Sequence, residues 1–171
     1  MKATGIFFAL LGSLVLFANC ADEYNLDRSI VIKAPVAVVF ENVNNLKKNE
    51  AWSPWMAADP TMKTTYNEIA AGQGASSSWT SEDSGEGTQV IVEVVENQKI
   101  VTDLDFKGQG KAKAFWTFEE TGEGVKVTWA FQSKPTGFGD HIFGAFFLES
   151  VLGKSYEEGL SKLKEVSESQ G

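Results

Sequence analysis

Two hydrophobic periods run along this chain. Over Tyr24–Lys33, Leu26, Ile30 and Ile32 alternate with polar residues, which predicts a strand. Pro35 opens Val36–Val43, predicting a short helix with proline in its first turn. Asn44–Pro60, carrying Trp52-Ser-Pro-Trp55, predicts a helical turn and a loop. From Met62 the period is two. Strands are predicted over Met62–Ile69, Ala75–Ser81, Thr88–Glu96, Ile100–Phe106, Lys111–Glu119 and Val125–Gln132. Glycine-containing turns at Gly72–Gly74, Asp83–Gly87, Gly108–Gly110 and Thr121–Gly124, and a hairpin at Glu96–Lys99, separate them. Ile100, Thr102, Leu104 and Phe106 share one face, as do Ala112, Ala114, Trp116 and Phe118, and Val125, Val127, Trp129 and Phe131. Asp103 and Asp105 fall on the opposite face and are expected to meet water. Sequential strands with short turns predict an antiparallel meander, solvated on one side.

The apolar side of that sheet needs a cover, and the pattern supplies one. Asp140 is a plausible N-cap for a helix reaching Ser167, roughly 40 Å long. Ile142, Ala145, Phe146, Leu152, Gly153, Tyr156, Leu160 and Leu163 form its apolar stripe. Glu149 falls inside the stripe, and Gly153 one turn later carries no side chain. A carboxylate and a gap on an apolar face predict a helix closing over a cavity. Gln132–Gly139, with Pro135, Gly137 and Gly139, reads as the hinge into it.

Composition narrows the function classes. A chain of 171 residues suits one domain with a real core. The net charge of −8 repels phosphate backbones, so nucleic acid is not expected as a partner. Lys2 followed by the uncharged, apolar Ile6–Ala18 reads as an export signal, too short to span a membrane. Phe17-Ala18-Asn19-Cys20 resembles a bacterial lipobox, departing from it at Phe17 and Asn19. The expected organisation is a signal over 1–19, a linker over 20–23 and one domain over 24–171. Cys20 would be acylated and anchor the chain in the cell envelope. The alternative is cleavage near Ala18 or Ala21 and a soluble secreted protein. Cys20 is the only cysteine, so no internal disulfide is available.

The order of elements, a strand, a short helix, an aromatic loop, antiparallel strands and a long last helix, resembles the helix-grip fold of the START-like (SRPBCC) superfamily. Arg28–Phe40, Trp52-Ser-Pro-Trp55 with Asp59-Pro60, and Gly72–Ala75 leading to Trp79 are similar in wording to its polyketide cyclase/dehydrase branch. So are Gly85-Glu-Gly87, Phe115–Phe118, Val127-Thr-Trp129 and Tyr156–Leu160 with Leu163-Lys164. The resemblance implies an α+β fold of the START-like/Bet v 1-like kind. Its curved sheet of six to seven antiparallel strands would grip the last helix around a deep apolar cavity. It implies hydrophobic small molecules or lipids as partners and supplies no universal catalytic motif.

Candidate chemistry centres on that cavity. Burial would raise the pKa of Glu149, suiting it to anchor a ligand, to act as acid or base, or to pair with a lysine, Arg28 or a tyrosine. Tyr156 shares its stripe. Trp52, Trp55, Trp79, Trp116 and Trp129, with Phe146, are the candidate lining: large apolar area plus an N–H donor in each indole. The same tryptophans equally serve as core. His141, the only histidine, lies off the stripe and reads as a surface or hinge residue. No Cys/His cluster or calcium-type loop is present in the sequence, and the Gly-x-Gly patterns sit between strands, so neither metal nor cofactor is expected. The leading reading is an exported binding protein for a hydrophobic guest. A polyketide cyclase/dehydratase-like or hydrolase-like enzyme, and then a protein-interaction module, are the alternatives.

Overall fold

The computed structural model describes residues 23–82, 85–134 and 148–171. The signal with Cys20, most of the hinge, His141, Phe146 and the first part of the last helix lie outside the described residues, as does the side chain of Glu149. In order come β1 (Tyr24–Ile32), α1 (Val36–Asn44), a 3-10 turn (Lys48–Ala51), α2 (Pro54–Ala58), β2 (Lys63–Tyr66), β3 (Ser76–Ser81) and β4 (Gly85–Val95). Then follow β5 (Lys99–Phe106), β6 (Gly110–Thr121), β7 (Gly124–Ser133), a π-helical turn (Leu148–Leu152) and α3 (Gly153–Glu168). The strands form one antiparallel sheet ordered β1-β7-β6-β5-β4-β3-β2. Six consecutive strands are the expected meander, and the first strand returns to pair with the last.

Two element boundaries differ from the sequence expectation for local reasons. β2 stops at Tyr66 because the Asn67 side chain takes over the bonding. Its Nδ2 donates to Gly74 O at 2.8 Å and its Oδ1 accepts from Ser76 N at 3.0 Å. β4 begins at Gly85, inside the expected turn, because Gly85 and Gly87 pair with Ser81 and Trp79. The β4–β5 register shifts between Ile91 and Glu93, a bulge that helps curl the sheet.

The last helix covers the concave face. Leu152, Gly153, Tyr156, Leu160 and Leu163 are buried as the stripe predicts. The π-helical turn interrupts the regular rotation, however. Its wider i→i+5 turn falls just before α3, and the direction of the Glu149 side chain lies outside what the structure describes. Asn42 of α1, 1% exposed, donates from Nδ2 to Ser167 Oγ and to Gln170 Oε1, both at 3.1 Å, locking the helix end to α1. On the outer face, Asp103 pairs with Lys113 and Asp105 with Lys111, as their alternation requires.

Candidate functional site

Cross-strand register turns the concave face into successive rows, because directly paired residues point the same way. One row runs Ile100, Trp116, Trp129 and Arg28 across β5, β6, β7 and β1. The next holds Ile91, Thr102, Ala114, Phe131 and Leu26, and the one beyond it Ser77, Gln89, Leu104 and Ala112. The last holds Trp79, Gly87 and Phe106. From Ile100 to Phe106 is roughly 20 Å along the strand.

The first row is filled. Trp116 and Trp129 stack with centroids 4.4 Å apart, and Trp129 stacks on Tyr156 of α3 at 3.7 Å. Trp52 sets its edge against both tryptophans, at 5.5 and 5.8 Å. Gly159 allows this approach: a Cβ there would sit 3.0 Å from both Pro54 and Trp129. Beneath the described part of α3 the concave face is therefore solid aromatic packing.

The far row forms a second aromatic wall. Trp79 lies across Gly87 and meets Phe106 edge-on at 5.8 Å. Any side chain on Gly87 would collide, since its Cβ would stand 2.1 Å from the Trp79 ring. Between the walls, the part of the next two rows on β3 to β6 carries Ser77, Gln89, Thr102, Leu104, Ala112 and Ala114, with Ile91, Phe131 and Leu26 completing the nearer row. Ser77, Thr102 and both alanines are buried, whereas Trp79, Gln89, Leu104, Phe106 and Phe131 are only half-buried. This buried strip of mostly short side chains between two aromatic walls is the candidate recess.

Polar groups in and beside this recess are unevenly satisfied. Trp52 Nε1 donates to Asn42 O at 2.9 Å. Trp129 is only 7% exposed, and its Nε1 has no acceptor among the described residues. The Tyr156 hydroxyl makes no hydrogen bond among the described residues, and burial alone pushes its pKa far up, keeping it a neutral donor. Gln89 Nε2 donates to Ser77 Oγ at 2.9 Å, and no described residue donates to the Gln89 carbonyl oxygen. Arg28, in the first row, is held by Glu157 of α3 at 2.7 Å.

The expected lining residues thus divide. Trp116, Trp129 and Tyr156 form one wall, with Trp52 behind it, and Trp79 forms the other. Trp55 is 36% exposed on α2 and stands apart from them. The floor residues Ser77, Gln89, Ala112 and Ala114 were not singled out by sequence reasoning. Their signal was present as short side chains at inward positions of strands whose other inward positions are large. A separate groove of about 490 Å³ lies between α2 and α3, lined by Trp52, Pro54, Met56, Glu158 and Lys162. Among the described residues no His, Cys, Asp and Glu cluster has the makings of a metal site.

Known proteins support the fold reading. The chain is similar to protein CV1439 from Chromobacterium violaceum, at 15% identity over 84% of this chain and 97% of that one, with TM-score 0.63. It is similar to the di-domain ARO/CYC StfQ from the steffimycin biosynthetic pathway, at 16% identity and TM-score 0.66, over 86% of this chain and 51% of that one. Ara h 8.0201 is similar too, at 14% identity and TM-score 0.58, over 86% of this chain and 99% of its own. At such identities these likenesses establish the helix-grip fold. A comparison with curated protein sequences gives no match. The family model described as polyketide cyclase/dehydrase and lipid transport matches residues 24–168, which contain every described strand and helix of the grip. The chain belongs to that family.

Proposed function

We propose that this protein binds a hydrophobic small molecule or lipid in the recess between its two aromatic walls. The observation that carries the reading is the buried Trp129 N–H, which has no acceptor among the described residues, within the aromatic stack it forms with Trp116 and Tyr156. Buried donors are almost always satisfied, and leaving one unpaired costs about 1–3 kcal/mol. An acceptor on a guest recovers that cost, while apolar contact with the walls supplies the bulk of affinity. The test is intact mass of protein purified gently from its native source, under native and then denaturing conditions. Added mass in the native spectrum alone identifies a guest. The same clean mass in both argues against a stably held one.

A family-level enzyme reading, a cyclisation or dehydration, ranks second. Its acid/base pair would be Glu149 with Tyr156, although burial raises the Tyr156 pKa away from the range suited to proton transfer near neutral pH. Glu149→Gln separates the two: retained binding with lost turnover supports an enzyme. We also propose export with acylation at Cys20, resting on Lys2, Ile6–Ala18 and the Phe17–Cys20 pattern. An N-terminal peptide mass without acylated cysteine would sink the anchor.

A further inference from the structure

We infer that a second site, a cleft between α1 and the β4–β5 hairpin, takes a small organic ammonium ion: a protonated primary amine on a short apolar body. The cleft has a volume of about 390 Å³. α1 turns Ala37, Phe40, Glu41 and Asn44 towards it, the i, i+3, i+4 and i+7 positions of one helical face, and the hairpin supplies Val94, Glu96 and Asn97. It stands clear of the candidate recess, since Val94 pairs with Ile100, roughly 20 Å along β5 from Phe106. The helix does not close on the hairpin because Ala37 is short and Phe40 is held edge-on to Phe118 at 5.3 Å, which leaves its ring as the floor.

The rim of this cleft is acidic and incompletely satisfied. Glu41 Oε1 is shared by Lys48 Nζ at 3.2 Å and Asn45 Nδ2 at 3.4 Å, and no described residue binds its second oxygen. Glu96, exposed on the turn, has no partner among the described residues. The described ion pairs of the rim therefore leave one carboxylate charge uncompensated. Independently, Asn44 carries a buried side-chain oxygen with no donor among the described residues. A buried acceptor is rarely left in that state, and the broad χ2 torsion of asparagine lets it turn to a guest N–H in the cleft. An ammonium group brings three N–H donors and one positive charge, matching two carboxylates and an amide oxygen. Its alkyl chain then lies on Phe40 and Val94. A carboxylate or phosphate meets net repulsion at the same rim. A calcium ion wants about six to eight oxygen ligands and gains nothing from an apolar floor.

Hexylamine, hexanol and hexanoate, one chain with three head groups, test this when titrated into isotope-labelled protein and followed by backbone amide NMR shifts. Hexylamine, protonated near neutral pH as a lysine side chain is, should shift the amides of Ala37, Asn44, Glu96 and Asn97. It should bind there at least about tenfold tighter than hexanol, the gain of one charge-assisted hydrogen bond. Hexanoate should leave those amides in place. Glu96→Gln should remove most of the preference for amine over alcohol, and Ala37→Trp, filling the cleft from the exposed side of α1, should abolish the shifts. Equal affinity for amine and alcohol, or undiminished amine binding by Glu96→Gln, overturns the inference. So does hexylamine that saturates elsewhere or not at all. None of these outcomes bears on the candidate recess, whose amides lie at the other end of the sheet. Should Ala37→Trp fail to fold, the three head groups and Glu96→Gln still decide.

Discussion

Gly87 and Trp79 show how one missing side chain shapes the site. Trp79 reaches Phe106 only by lying over a glycine, so Gly87→Ala must dislodge the ring from the far wall. We expect a loss of about 1–3 kcal/mol and a changed near-ultraviolet circular dichroism spectrum. A spectrum identical to the parent's would contradict the displacement. Tyr156 makes the second residue-scale prediction. Desolvation raises its folded pKa above the unfolded value near 10, so the folded state retains a proton that the unfolded state releases. Its contribution is complete below pH 10 and is lost as pH rises beyond it, at up to about 1.4 kcal/mol per pH unit. Tyr156→Phe should flatten that alkaline decline. Since its hydroxyl has no partner among the described residues, the same change should cost little stability at pH 7 but weaken guest binding measurably. Equal alkaline slopes in parent and variant would refute the assignment.

At the scale of elements, helices are held by side chains more than by regular capping. Asn49 Nδ2 lies 3.1, 3.2 and 3.1 Å from the carbonyls of Asn42, Val43 and Asn45, which close the end of α1. Asn49→Ala should lower stability by about 1–2 kcal/mol in chemical denaturation, because those carbonyls lose a shared donor. At the C-terminal end of α3, Glu168 accepts from Lys33 N at 2.7 Å and Lys164 Nζ at 2.5 Å. The Lys164 hydrogen bond, then that of Lys33, holds its carboxyl below the usual carboxylate range. Its stabilising effect is therefore present at neutral pH and disappears as pH falls through the lowered pKa. Glu168→Gln should be less stable than the parent at pH 7 and converge with it in acid. Strand alternation made the elements legible in the sequence, down to the inward Trp116 and Trp129 and the outward Asp103. The end of β2 was not, because Asn67 caps it through tertiary bonds to Gly74 and Ser76. Nor was the candidate recess, whose strip of short side chains comes together only when β3 to β6 are in register.

For the whole molecule, a bound guest should add stability by mass action, about 2.7 kcal/mol at a hundredfold excess over its Kd. A thermal melt that does not move with saturating dodecanol or another hydrophobic ligand would count against the binding reading. The sheet's ordering also has a consequence in time. Among the described strands β1 pairs only with β7, with Arg28 opposite Trp129, roughly a hundred residues away in the chain. A ribosome adding about 5–20 residues each second leaves that first strand without its partner for some 5–20 seconds. Throughout that interval Leu26, Ile30 and Ile32 sit on a bare strand, free to zip onto another nascent chain. Chains arrested before Gly124 should therefore clump, whereas chains released beyond Ser133 can seat β1 against its partner.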